Sequence, residues 1–202
     1  MNTGDARTEI LRSIRTHLAS SAPHDAREPK IPFYQSESLS PQTVGSVVQI
    51  FKQNVEAVDG HCIVVCNDAE VEETVNRITQ GKRILRSNES FPATDLFNSD
   101  VGVTNAQAGI AETGTLVLDS SVERNRLVSL VPPVHVAILD ALRIYATLGE
   151  TLAALQSGGE LSPAITLITG PSRTADIELT LTIGVHGPQE LYVIVSEGPT
   201  RE

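Results

Sequence analysis

Ala164-Ile165-Thr166-Leu167-Ile168, running into Thr169-Gly170-Pro171-Ser172-Arg173-Thr174-Ala175-Asp176-Ile177-Glu178, is the stretch on which the reading of the fold turns. Its first five residues form a short, branched apolar run bounded by turn formers, the pattern of a buried strand. The next ten pass through Gly-Pro-Ser to residues that can open a helix, so the stretch predicts a strand, a tight turn and a helix N-terminus. Amides freed at such a junction point one way, the helix dipole adds partial positive charge, and Arg173 adds a full one. The expected result is a ligand-binding turn of Gly170, Ser172, Arg173 and Thr174 that takes a carboxylate or phosphate. Arg173 is able to grip a carboxylate with two parallel N–H donors. Asp176 caps the helix or pairs with Arg173 in this reading, and Glu178 compensates the dipole.

Downstream, Leu179, Leu181, Ile183 and Val185 alternate with Thr180, Thr182 and Gly184, which is strand period and leaves room for a helix of only two turns. A Gly184-Val185-His186-Gly187-Pro188 turn then precedes a last strand over 191–195. Upstream, residues 147–157 read as a helix stopped by Gly158-Gly159. Leu127–Leu130 and Val134–Leu139 read as two strand-like pieces on either side of Pro132-Pro133. Strands at 101–104 and 116–118 flank Gly109-Ile110-Ala111-Glu112-Thr113-Gly114-Thr115.

Toward the N-terminus the rhythm becomes β-α-β. Ser40-Pro41 opens a helix carrying Val44, Val47, Val48, Phe51 and Val55, with Gly60 as the expected stop. Strand 61–66 follows, then a helix capped at Asn67-Asp68 and a short strand over 83–86. Such alternation predicts a parallel α/β sheet. Before it, Ile10, Leu11, Ile14 and Leu18 mark an amphipathic helix over 3–20, and the prolines at 23, 29 and 32 suit a linker. The expected division is residues 1–39, N-terminal helix and flexible linker, and 40–202, one α/β domain.

The chain has 202 residues, 40% hydrophobic, enough for one full core. Its 25 acidic and 15 basic residues give a net charge of -10, which argues against nucleic acid or an anionic membrane surface as partner. No window approaches the roughly 18 apolar residues of a membrane span, and the start lacks a long apolar region, so a soluble cytoplasmic protein is expected. Cys62 and Cys66 are the only cysteines. They cannot hold an iron–sulfur cluster, which needs about four ligands, and read as small buried hydrophobes of a strand. His17, His24 and His61 offer no metal spacing, and no metal site is expected.

Three stretches taken together, Gly109–Leu116, Gly170–Glu178 and Gly184–Pro188, resemble the lactate-utilisation protein C family (LutC, also called YkgG), the LUD domain. The resemblance runs over roughly residues 40–197, in the same order. It implies a NagB/RpiA/CoA-transferase-like fold, an open α/β sheet with a β-rich insertion, here with an N-terminal helical appendage. It also implies an accessory role in oxidising L-lactate to pyruvate beside iron–sulfur, LutA- and LutB-like partners. Cofactors are then expected on those partners and none on this chain.

Within that resemblance Glu112 carries two readings. The CoA-transferase branch of the broad fold uses a Glu in a Glu-x-Gly turn as nucleophile, and Glu112-Thr113-Gly114 is similar, which makes a CoA- or acyl-transferring enzyme the alternative function. A Glu that bonds loop amides to fix a strand connection explains the same residues. His186 is read as a general acid/base or a structural turn histidine, with His135 a weaker case. The expected site therefore combines Glu112 and His186 as catalytic candidates with Gly114, Gly170, Ser172, Arg173 and Thr174 as ligand contacts.

Overall fold

Asn67 shows how local chemistry sets the framework: its side-chain oxygen accepts the Glu70 N–H at 3.0 Å and starts a helix one residue later, as the sequence predicts. The computed structural model describes residues 3–20, 41–123, 125–157, 162–175, 181–183 and 187–198. The chain divides into two units, Met1–Phe33 and Tyr34–Glu202. The expected 39/40 boundary falls outside the described residues. In the first unit the amphipathic pattern forms helix α1 (Thr3–Ser20).

The second unit starts with α2 (Pro41–Ala57), β1 (His61–Val65), α3 (Asp68–Thr79), β2 (Ile84–Arg86) and the short α4 (Ala93–Asn98). Next come β3 (Val101–Ala106), β4 (Ala108–Ile110), β5 (Thr115–Asp119), β6 (Val134–Asp140), β7 (Ile144–Tyr145) and α5 (Leu148–Ser157). The last described elements are β8 (Ile165–Ile168), β9 (Arg173–Ala175), β10 (Leu181–Ile183) and β11 (Glu190–Ser196).

Five strands form a parallel sheet in the order β1-β11-β6-β3-β2. Phe51 and Val55 of α2 pack on one face with Cys62, Ala137, Leu139, Leu191 and Val193, while Val71 and Val75 of α3 cover the other with Val101, Val136 and Ile194. Burial on both faces is why β6 and β11 read as nearly unbroken apolar runs. The open α/β sheet and its β-rich insertion are thus as expected. The insertion is a second, mixed sheet, β7-β4-β5-β8, with α5 residue Leu155 packed against Ala108, Ile110 and Val117.

Three local expectations need correction. Arg173–Ala175 do not open a helix but form β9, paired antiparallel with β10 in a two-stranded sheet. The strand alternation at Leu181 and Ile183 is the stronger signal. Leu127–Leu130 is not a strand either, because Arg126–Ser129 makes a 3₁₀ turn that brings the Val128 carbonyl over β3. A Cβ on Gly102 would lie 1.9 Å from that oxygen, so the close approach requires glycine. Of the two cysteines only Cys62 is buried, its thiol pushed up to about 12 chiefly by burial, whereas Cys66 is exposed beyond the end of β1. α2 ends just before Gly60, the expected stop, and Asp59 takes the left-handed position there, at φ 61°.

Candidate functional site

The C-terminal end of α2 is the platform on which two of the three expected site segments sit. The Gly60 N–H donates to the Val55 carbonyl at 2.9 Å and the Asp59 N–H to the Glu56 carbonyl at 3.1 Å. This six-to-one, five-to-two pairing is a Schellman stop, with Asp59 in the left-handed position usually held by glycine.

The Ala111–Gly114 loop lies against the last turns of that helix. The Asn54 side-chain amide donates to the Ala111 carbonyl at 2.7 Å. Gly114 has φ +64°, and a Cβ there would come within 2.4 Å of the Val55 nitrogen. A side chain at 114 is therefore excluded twice, by conformation and by the helix backbone. On its other side the loop is held to the segment after β7, through Ala111 N–H to the Tyr145 carbonyl (2.8 Å) and Glu112 N–H to the Ala146 carbonyl (3.0 Å). The Glu112 carboxylate is exposed, and its Oε1 accepts the Leu148 N–H at 2.8 Å, at the first residue of α5. It thereby caps a helix N-terminus with a negative charge, the favourable polarity.

The Thr169–Arg173 turn lies on the same helix end. Gly170 has φ +75°, and a Cβ there would sit 2.8 Å from the Val58 carbonyl. Three threonine hydroxyls link the two segments, Thr113 to Thr115 at 2.6 Å and Thr115 to Thr169 at 2.7 Å. The Arg173 guanidinium pairs with the Asp59 carboxylate. The Ser172 N–H donates to the Pro188 carbonyl at 2.8 Å, and Gly187 closes on Ser172, where an added Cβ would be 3.0 Å from the serine Cβ.

Gly114, Gly170, Ser172 and Arg173 are thus brought to one region beside Glu112, while Thr174 lies in β9 opposite Thr182. His186, Asp176 and Glu178 fall outside the described residues. Two parts of the anion argument do not hold. With Arg173 itself in a strand, no helix N-terminus opens at it among the described residues. Nor is the turn at the carboxyl edge of the parallel sheet, where open α/β folds bind ligands. β8 belongs to the second sheet, antiparallel to β5, and its turn meets Pro188 and the 58–60 segment, which lead into the amino ends of β11 and β1.

A scan against family models matches residues 93–196 to the LUD domain. The lactate utilization protein C of an Exiguobacterium strain is 32% identical over 165 residues, covering 67% of this chain and 72% of that protein. The chain belongs to the LUD domain family. Within it the LutC/YkgG group is indicated, since the Escherichia coli protein YkgG is 43% identical over 145 residues, 67% of this chain and 63% of its own. Several relatives are matched over only about half of their length, 44%, 50% and 56% in three of them. A crystal structure of a DUF162 family protein from Deinococcus radiodurans superimposes with a TM-score of 0.58 and 21% identity, over 78% of this chain and 99% of that one. That likeness bears on the fold, which it shares.

In this LUD domain the sequence reading missed Asp59, the partner of Arg173. The available signal was an acidic residue placed directly before Gly60 at a helix end, where a glycine or asparagine is the usual choice. The threonine chain was within the quoted motifs, yet pairing Thr115 with Thr169 needs the β5–β8 register, Leu116 opposite Ile168, which no local pattern encodes. His135 is fully buried, with Nε2 2.8 Å from the Thr104 hydroxyl, and burial pushes its pKa down to about 4, so it stands neutral inside the core. His61 stacks on Tyr192. Among the described residues no group of three His, Cys, Asp or Glu side chains could hold a metal ion, and no helix is long and apolar enough to cross a membrane.

Proposed function

We propose that this chain is an accessory component of an L-lactate-oxidising system, working beside iron–sulfur proteins of the LutA and LutB kind and binding a small anion next to Arg173 and Glu112. The observation that carries the reading is the match to lactate utilization protein C, at 32% identity over 72% of that protein's length. The site geometry supports the ligand part. Arg173 is a partly exposed cation on a turn whose shape is fixed by Gly170, and exposed hydroxyl and carboxylate groups lie beside it. Glu112 serves here as the clamp that ties its loop to α5. A nucleophilic carboxylate is better served by a desolvated setting with oxyanion donors, so acyl transfer through Glu112 has the weaker support.

The test is genetic and biochemical together. Deleting the gene in its native host should abolish or slow growth on L-lactate as sole carbon source while leaving growth on pyruvate unchanged. A tagged copy from lactate-grown cells should retain iron–sulfur proteins. Undiminished growth on lactate, with the tagged protein eluting alone, sinks the proposal.

A further inference from the structure

Asp59 is placed against its own local preferences. It is the one non-glycine residue with positive φ among the described residues, a conformation most L side chains avoid and aspartate tolerates less well than glycine. Its carboxylate stands at the C-terminal, negative end of α2, whose last turn holds no basic residue, so the helix dipole repels it. Glycine or asparagine would end the helix with less strain. What the aspartate alone supplies is a negative charge for Arg173.

That pair is open to water. The Asp59 side chain is 76% exposed and that of Arg173 38%. Ion pairs so exposed contribute little, and an anion from solution can replace the internal partner at small cost. A carboxylate oxygen from solution can take the place of the Asp59 oxygen on the guanidinium. The helix end that meets the turn, the C-terminus of α2, presents carbonyls, which disfavour a phosphate dianion. The exposed Thr169, at the end of the threonine chain and next to Gly170, leaves a hydroxyl on the same turn for a second contact.

We infer that Asp59 is an internal stand-in for a ligand carboxylate, so that a small monocarboxylate enters by displacing it from Arg173 and the pair acts as a built-in competitor. The inference rests on the reading that Arg173 binds an anion, and adds the ligand class and the gate.

NMR titration of the full ¹⁵N-labelled chain with sodium acetate, sodium L-lactate and sodium phosphate, against sodium chloride at equal ionic strength, tests it. Acetate or lactate should shift resonances at 58–60 and 169–173. Asp59→Asn keeps a residue that tolerates the left-handed turn and should tighten carboxylate binding about 1.4- to 5-fold, the range set by exposed ion pairs. Arg173→Ala should abolish it. If wild type binds carboxylates through Arg173 but Asp59→Asn binds them equally or more weakly, the stand-in idea is overturned and the anion site survives. If neither wild type nor Asp59→Asn responds to any carboxylate, the anion site itself is overturned. Tighter binding of phosphate than of either carboxylate overturns the ligand class.

Discussion

β1 and β8 are short strands of similar apolar, β-branched composition, and the protein treats them differently. Both are edge strands of their sheets. In β1, Cys62 packs toward α2 and Val65 toward α3, so each face is roofed by a helix. In β8 no residue is fully buried, and Leu167 is 49% exposed. Composition decides that a segment can be a strand; cover on both faces decides how deep it lies. The thickly covered body therefore carries the stability, and the thinly covered rim carries the turn with Arg173.

Substitutions that remove cover should separate the two regions. Phe51 of α2, packed against the sheet, is the largest fully buried side chain of the body. Phe51→Ala should lower the unfolding free energy by about 3–5 kcal/mol, read by urea denaturation; a loss below about 1 kcal/mol would remove the idea that α2 anchors the core. Next in size is an acid effect from His135. Its unfolded form takes a proton near pH 6.5, whereas the folded form resists until about 4. Between these values the unfolded chain holds more protons, so stability falls as pH drops through that window and is unaffected above it. The loss should approach about 3 kcal/mol by pH 4. His135→Gln should flatten this part of the stability–pH curve, and an unchanged slope would show that other groups set it. The smallest effect belongs to the rim: Leu167→Ala should cost no more than about 1 kcal/mol, because half of the side chain already meets water.

The same contrast governs what could be read from sequence. α2, α3, β1, β6 and β11 were legible because their patterns repeat long enough to agree with their burial, and Asn67 announced its own helix. The strand after Gly170 was harder. Ser172, Thr174, Asp176 and Glu178 are helix-opening residues by local chemistry, yet the backbone of Arg173–Ala175 pairs with Leu181–Ile183 instead. β7 is two residues long and exists through its partner β4, beyond the reach of any periodicity. For the candidate site, the glycines gave true signals of left-handed or crowded turns at 114 and 170. The platform beneath them did not show, because α2 precedes one turn by more than fifty residues and the other by more than a hundred.

The strand order has a further consequence, for the making of the protein. β1 and β2 follow one another in the chain but occupy opposite edges of the parallel sheet, and β3, β6 and β11 fill the space between them. β1 has a single strand partner, β11, which begins at Glu190. While the ribosome is still adding the middle of the chain, β1 has emerged with no neighbour to bond to. β1 therefore waits for a strand made more than a hundred residues later, and pairings this distant in sequence favour slow folding.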